Sequence, residues 1–129
     1  MPDETNPVYV EKVQLFSDKE KLIVTQAFDI LLNTSYKMAT EKGFWEKARN
    51  DGELLALVHS EISEALEAIR KGNPESTKIP GFSNFVEELA DAVIRICDFT
   101  GSKNLNLGGA ILAKMQYNSA RPYKHGKKF

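Results

Sequence analysis

Two pairs of acidic residues combine chemically useful side chains with a useful spacing. Glu61 is followed three positions later by Glu64, and Glu88 is followed three positions later by Asp91. Residues three apart on a helix lie one above the other on the same face, so each pair presents two carboxylates to one neighbour. If the two segments are antiparallel helices that lie side by side, all four carboxylates can converge.

The position of Glu61 within its segment is unusual for a carboxylate. At about 100° per residue, Glu61 falls inside the apolar arc that runs from Leu57 to Leu66. A carboxylate that faces a core is strongly unfavourable unless it is paired, protonated or bound to a cation. The second pair shares a narrow polar strip with Arg95 and Asp98, and a solvated helix face is the simpler interpretation of that strip alone. Considered together, the two pairs indicate a site.

Divalent cations are the partners that such a cluster would need. Four like charges near one point repel each other unless cations lie among them, and a ligand set of carboxylate oxygens suits Mg²⁺, with Mn²⁺ as a substitute. A ferritin-like di-iron site would instead need Glu-x-x-His pairs, and neither His59 nor His125 has a Glu three residues before it. Magnesium held by few carboxylates keeps its other positions for water and substrate phosphates.

Cationic groups suited to phosphates lie near the end of the chain. Lys114 and Asn118 are four residues apart in the last helical segment, and we expect Lys114 to point inward because it shares a stripe with Leu107 and Ile111. A basic, frayed tail that aids solubility is the alternative interpretation. Lys114 and Asn118 are followed by residues that are cationic or, for the histidine, can become so: Arg121, Lys124, His125, Lys127 and Lys128.

Four helices are predicted to position these residues in an all-α, bundle-type fold. Three start signals combine a polar N-cap residue with Glu three positions later: Ser17 with Glu20, Asn50 with Glu53, and Asn84 with Glu87. Gly43, Gly72, Gly101 and Pro122 mark the ends, and the Asn-, Pro- and Ser-containing stretch from Gly72 to Gly81 is predicted to be a loop. The predicted helices are 18–42, 51–71, 84–101 and 105–120.

The composition indicates one soluble domain. The chain has 129 residues, of which 42% are hydrophobic, and 17 Lys and Arg against 18 Asp and Glu leave a net charge of −1. This balance argues against a nucleic-acid partner, because neutralising many phosphates takes an excess of basic residues. The single cysteine, Cys97, is interpreted as a buried small hydrophobe. We expect an extended arm over 1–16, a helical domain over 17–121 and a basic tail over 122–129.

The N-terminal sequence and the lengths of the apolar runs bear on localisation. The first residues are polar and acidic, unlike a signal peptide, and no apolar run approaches the ~20 residues that cross a bilayer. These features predict a cytoplasmic protein with no membrane partner.

The stretches that carry the acidic pairs resemble a known family. Gly43-Phe44-Trp45, the segment His59–Ala68 (HSEISEALEA) and the segment Glu87–Ala92 (EELADA) are similar to the MazG-like all-α nucleoside triphosphate pyrophosphohydrolases, whose signature is E-x-x-E followed by E-x-x-D. The spacer here is 23 residues, Ala65 to Glu87. The ending, with Lys114-Met115-Gln116-Tyr117-Asn118 and Arg121-Pro122-Tyr123-Lys124-His125-Gly126-Lys127, also resembles small stand-alone members.

The resemblance implies hydrolysis of a nucleoside triphosphate between the α and β phosphates, to the monophosphate and pyrophosphate. It implies that Glu61, Glu64, Glu88 and Asp91 hold Mg²⁺, with Glu64 as the candidate that accepts a proton from water. Phosphates would be contacted by Lys114, Asn118, Arg121, Lys124 and His125. Trp45 would stack on a base, although a hydrophobic staple that closes the connector between the first two helices explains it equally well.

Two other functions are considered beside this one, and the chain is expected to form an oligomer. Relatives in the histidine pathway act on phosphoribosyl-ATP, so this compound is an alternative substrate. A non-catalytic helical module that dimerises and binds a partner through its basic tail is a further alternative, but it leaves Glu61 unexplained. The resemblance also implies a homodimer or homotetramer, and the third helix is apolar around too much of its circumference for one thin bundle to cover.

Overall fold

The structure is a computed structural model that describes residues 13–129, so most of the arm predicted over 1–16 lies outside the described residues. The described part is all-helical, which confirms the predicted class and the number of α-helices. The helices are α1 (Asp18–Glu41), α2 (Asp51–Arg70), α3 (Asn84–Ser102) and α4 (Leu107–Ser119), and a short 3₁₀ helix covers Tyr123–Gly126. No β-strand occurs within residues 13–129 beyond one isolated bridge, between Glu75 and Ser83.

The first two predicted start signals are confirmed. Ser17 and Glu20 form a reciprocal capping box: the Ser17 Oγ accepts from the Glu20 N–H at 3.1 Å, and the Glu20 Oε1 accepts from the Ser17 N–H at 3.0 Å. At α2, the Asn50 side chain accepts from the N–H groups of Gly52 and Glu53. These bonds satisfy backbone donors that the first helical turn leaves without intrahelical partners.

The start signal assigned to Asn84 was wrong by one residue. The N-cap of α3 is Ser83, whose side chain accepts from the Val86 N–H, whereas the Asn84 N–H donates to the carbonyl of Pro74 at 2.8 Å. The last helix likewise begins at Leu107 rather than 105, because the Asn106 side chain caps it through the N–H of Gly109 at 2.9 Å. In both helices, a hydrogen bond from the backbone to the N-cap side chain sets where the helix begins.

The chain divides into two compact units, each described by itself. One unit is Ile30–Leu105, which contains the second half of α1 together with α2 and α3. In it α2 and α3 are antiparallel neighbours. The Lys103 Nζ lies 3.2 Å from the Asp51 Oδ1 at one end of the pair, and the Asn73 Oδ1 accepts from the Phe85 N–H at the other.

Small side chains allow the helices of the Ile30–Leu105 unit to pack closely. Gly101 of α3 lies against α1, where an added Cβ would come within 2.6 Å of the Leu32 carbonyl oxygen, so no larger residue fits without a shift of the backbone. Cys97 is 1% exposed, which confirms its interpretation as a buried small hydrophobe. The other buried apolar residues of this unit are Leu32, Leu54, Ala65, Ala68 and Ala92.

The apolar arc of α2 is only partly covered within this unit. Leu54 and Ala65 are buried, whereas a second set of large apolar residues on the same helix is exposed. The exposed large apolar residues of α2 are Leu55, Ile62, Leu66 and Ile69, and three that share one face of α3 by their spacing are Val86, Leu89 and Val93. We call these seven residues the apolar stripe.

The other unit comprises, of the described residues, 13–29 and Asn106–Phe129. Gly108 of α4 packs on α1, since a Cβ there would lie 2.9 Å from the Cβ of Phe28. The Gln116 side chain donates to the Val13 carbonyl at 2.7 Å and accepts from the Leu15 N–H at 3.0 Å, which ties residues 13–15 to α4. Among residues 13–129, no helix is both long enough and apolar enough to cross a membrane.

Candidate functional site

A cavity of about 530 Å³ lies in the Ile30–Leu105 unit, and all four predicted acidic residues line it. The antiparallel pairing of α2 and α3 brings the two acidic pairs to one place. One carboxylate oxygen from each of Glu61, Glu88 and Asp91 lies within 4.8 Å of the others. Glu64 lines the same cavity and is close enough to Glu61 for that residue to be the main cause of its raised pKa. Three of the four carboxyl groups that were expected to converge therefore do so, and the fourth lines the same cavity.

Glu61 is buried, as its place in the apolar arc predicts, with 6% of its surface exposed. Its partner within the chain is Arg95, whose Nε donates to the Glu61 Oε1 at 2.6 Å. Burial favours the neutral form of Glu61, but Arg95, together with the neighbouring carboxyl groups of Glu64 and Glu88, outweighs it and lowers the pKa of this carboxyl. The polar strip of α3 thus supplies a counter-ion to α2, a role that its sequence alone did not distinguish from solvation.

The other three carboxyl groups are held in an environment that disfavours their charge. Burial, followed by the charge of Glu64, raises the pKa of Glu88 to about 7. Burial and then the charge of Glu61 raise the pKa of Asp91, and hydrogen bonding with Glu61 followed by burial raises that of Glu64. Arg95 therefore does not neutralise the cluster, and the remaining repulsion is of the kind that protons or a cation would relieve.

The donor set of this cluster fits a hard divalent cation. Its candidate ligand atoms are carboxylate oxygens, and no histidine or cysteine belongs to the group found among residues 13–129. Oxygen ligands of this kind match the preference of Mg²⁺ and Mn²⁺ over that of zinc or copper. Glu61, Glu88 and Asp91 are the residues that would hold the ion.

A closed loop places a lysine at the same cavity. In the loop between α2 and α3, the buried Ser76 hydroxyl accepts from the N–H groups of Lys78 and Ile79, both at 3.1 Å. The Ser76 N–H donates to the Phe82 carbonyl at 2.8 Å, which closes the loop on itself. The Lys78 side chain lines the cavity, and its Nζ lies 3.5 Å from the Glu87 Oε1. Sequence reasoning missed Lys78, because a lysine in a loop carries no positional signal.

Trp45 is tied to α3 by its polar atom, and its ring contacts α1 and the connector that carries it. Its Nε1 donates to the Asp98 Oδ1 at 2.8 Å, the Tyr36 ring meets it edge-on at 5.6 Å, and Arg49 lies 5.2 Å from its centroid. Burial raises the pKa of Asp98, opposed by the Trp45 hydrogen bond and by the charge of Arg49. Phe44, not Trp45, is the aromatic residue of this connector that lines the cavity.

The predicted phosphate-binding residues near the C-terminus belong to the other unit. Lys114 is exposed, so the expectation that it points inward was wrong. Its Nζ lies 4.6 Å from the centroid of the Tyr117 ring one turn further along α4, with Arg121 at 6.0 Å from the same ring. The long lysine stem therefore carries the ammonium to an aromatic face on its own helix, away from the stripe of Leu107 and Ile111.

The remaining residues of that region differ in their surroundings. The Asn118 Oδ1 is buried without a hydrogen-bond partner. Arg121 and His125 line a second cavity of about 540 Å³, together with Gln116 and Tyr117. Lys124 and His125 are exposed and have left-handed backbone angles, with φ of 52° and 54°.

The chain was compared with known proteins to see whether either cavity has a counterpart among them. A comparison of the chain with protein-family models, with curated proteins and with solved structures found no match. What the acidic site can do therefore follows from its carboxylates, its cations and the shape of its cavity.

Proposed function

We propose that this protein is a Mg²⁺-dependent pyrophosphohydrolase with a MazG-like fold, which hydrolyses a nucleoside triphosphate between the α and β phosphates. One observation carries the proposal: oxygens of Glu61, Glu88 and Asp91 lie within 4.8 Å of one another at a cavity that Glu64 also lines. A merely solvated acidic face does not bury a carboxylate such as Glu61. The resemblance of the two acidic motifs to the family supports the same activity.

The roles of the residues follow from their positions. Glu61, Glu88 and Asp91 hold the ion, which when bound supplies positive charge that offsets the phosphates and polarises a water molecule. Glu64 is exposed and is not one of the three residues whose oxygens converge. Its carboxyl group is therefore the one that would accept a proton from the attacking water. Arg95 keeps Glu61 ionised and in place.

The cavity has the size and the mixed lining that a nucleotide needs. Its volume of about 530 Å³ lies within the range of roughly 300–1,000 Å³ that small-molecule pockets occupy. Apolar side chains of Met38, Phe44 and Ile94 line it together with the carboxylates. The carboxylates suit the metal-bound phosphates, and the apolar side chains suit a sugar and a base.

The apolar stripe on α2 and α3 supports assembly into a homodimer or homotetramer. Large exposed apolar patches on globular proteins mark interaction sites, whereas single exposed apolar residues need no explanation. Leu66 and Leu89 are 52% and 36% exposed, and a second copy of this chain would cover them. Cross-linking and light scattering would measure the assembly.

A substrate panel tests the activity. The protein is incubated with the common ribo- and deoxyribonucleoside triphosphates and with phosphoribosyl-ATP, with Mg²⁺, and the products are resolved by chromatography. We expect a monophosphate and pyrophosphate, and loss of activity on chelation. Release of orthophosphate instead, or activity that chelator leaves untouched, would contradict the proposal. No turnover together with no Mg²⁺ uptake in calorimetry would favour the non-catalytic helical module.

A further inference from the structure

Four cations line the acidic cavity, Lys42, Arg49, Lys78 and Arg95, and they differ in how firmly the chain holds them. Arg95 is engaged by the buried Glu61 at 2.6 Å, and Arg49 lies 3.8 Å from Asp98 and over the Trp45 ring. Both serve contacts within the fold. Lys42 and Lys78 are both exposed. Of these two, Lys78 lies beside the acidic cluster, because its Nζ is 3.5 Å from the Oε1 of Glu87, the residue next to Glu88.

The backbone of Lys78 is fixed even though its side chain is free to move. The Ser76 hydroxyl accepts from the Lys78 N–H at 3.1 Å, and the Ser76 N–H bonds across the loop to the Phe82 carbonyl. A fixed backbone with an exposed four-carbon stem places the ammonium within a limited radius of the cavity. The charges of Glu87, Asp91 and Glu88 raise the pKa of Lys78, so its ammonium lies in the field of the acidic cluster.

We propose that Lys78 is a substrate-binding residue of this site, and that its ammonium, while it stays beside Glu87, also binds the oxygens of the polyphosphate group. The inference rests on the proposed function and deepens it by naming a phosphate contact from the Ile30–Leu105 unit. The pair is uneven, because the Lys78 side chain is 79% exposed and that of Glu87 only 9%, so the hydrated ammonium has donors left for a second anion while it stays beside Glu87. A polyphosphate offers several anionic oxygens to those donors.

A matched pair of lysine variants tests this role. Lys71 is 69% exposed and lies 3.6 Å from Glu67, so its own exposure resembles that of Lys78, but its partner is half-exposed and it does not line the cavity. With the best triphosphate of the panel, we expect Lys78→Met to raise KM about tenfold or more with little change in kcat. Lys71→Met leaves both constants unchanged, and Lys78→Arg restores most of the affinity because it keeps the charge.

Two further measurements separate phosphate binding from a structural role. Inorganic tripolyphosphate carries no base, and with Mg²⁺ we expect its binding in calorimetry to weaken in Lys78→Met by the same factor as KM. Glu87→Gln removes the carboxylate that shares the ammonium with the phosphates, so it should lower KM or leave it unchanged. Equal loss of melting temperature in Lys78→Met and Glu87→Gln, with KM and tripolyphosphate binding unaltered, would overturn the role of Lys78.

The outcomes for Lys78 and for the proposed activity are distinguishable. If the wild-type protein hydrolyses triphosphates but Lys78→Met and Lys71→Met behave alike, the activity stands and the role of Lys78 falls. If no triphosphate is hydrolysed, yet tripolyphosphate binds with Mg²⁺ and Lys78→Met weakens it, Lys78 remains a phosphate-binding residue and the hydrolase proposal falls.

Discussion

The acidic site of the Ile30–Leu105 unit and the basic region of α4 differ in how the chain positions their charges. In the first, Glu61 is buried against Arg95, and the neighbouring carboxyl groups constrain one another's ionisation. In the second, Lys114 is exposed, and it and Arg121 lie near the Tyr117 ring of the same helix. One region is ordered by contacts between helices, and the other by contacts along one helix.

This difference bears on which substitutions should matter most. A buried charge has lost its hydration, so its removal or the removal of its partner has a large effect. An exposed charge remains hydrated and is screened by salt, so its contribution to binding is smaller. We therefore expect the variants of the acidic site to have larger effects than those of the basic region.

The largest effect is expected for Glu61→Gln. The amide keeps the shape of the side chain but loses the charge that would hold the ion, so kcat should fall by about 10³-fold. Steady-state kinetics measures this, and calorimetry should show weaker Mg²⁺ binding. Glu67→Gln is the control, since Glu67 is exposed on the same helix and pairs with Lys71. A fully active Glu61→Gln variant would remove Glu61 from the metal site.

Arg95→Met should have the next largest effect, on stability. It leaves the carboxylate of Glu61 buried without its partner, which we expect to lower the free energy of unfolding by about 3 kcal/mol at neutral pH. Urea denaturation measures the loss, and Arg70→Met, an exposed arginine at the end of α2, is the control. Saturating Mg²⁺ should restore part of the lost stability, because the ion would replace Arg95 as the partner of Glu61. If Arg95→Met and Arg70→Met are equally stable, the Arg95–Glu61 pair does not stabilise the fold.

Arg121→Met examines the basic region. If this region contacts phosphates, as the family resemblance implies, the loss of one charged hydrogen bond should raise KM about tenfold. Lys127→Met, which removes an exposed charge nearby, should change KM by no more than about twofold. An equal, small change in both variants would leave the region without a specific phosphate contact.

The smallest effect is expected when pH is changed in the absence of Mg²⁺ and stability is measured. The pKa of Glu88 is about 7 in the folded protein and near 4.5 when unfolded, so the folded state binds more protons between these values. Stability should therefore fall as pH rises from 4.5 through 7, and the melting temperature should be a few degrees higher at pH 6 than at pH 8. Mg²⁺ should abolish the difference, and Glu88→Gln should lack most of it. A melting temperature that does not change with pH would contradict the raised pKa.

Helix positions and the burial of Glu61 could be predicted because they depend on local periodicity. Ser17, Asn50 and the glycines near the helix ends set the helix limits through contacts within a few residues. The apolar arc of α2 predicts which side of the helix must be covered. The predicted end of the first helix at Gly43 holds because its φ of 86° suits glycine.

The partners of the charged residues could not be predicted in the same way. Arg95 and Asp98 share one polar strip, yet one pairs with Glu61 and the other with Trp45, and that choice depends on the register between helices. Lys114 was misjudged because a stripe shared with Leu107 fixes only the Cβ direction, while a long stem carries its charge elsewhere. Lys78 required knowledge of how its loop folds back on itself.

The closed loop between α2 and α3 also has a consequence for insertions and deletions. Its hydrogen bonds join Ser76 to Phe82 and Pro74 to Asn84, so the number of residues between these points is set by the bonds themselves. One added or lost residue here would change which side chain occupies the position of Lys78. Length variation in this spacer would thus exchange one functional group for another, whereas in an open linker it would only change the reach of the chain.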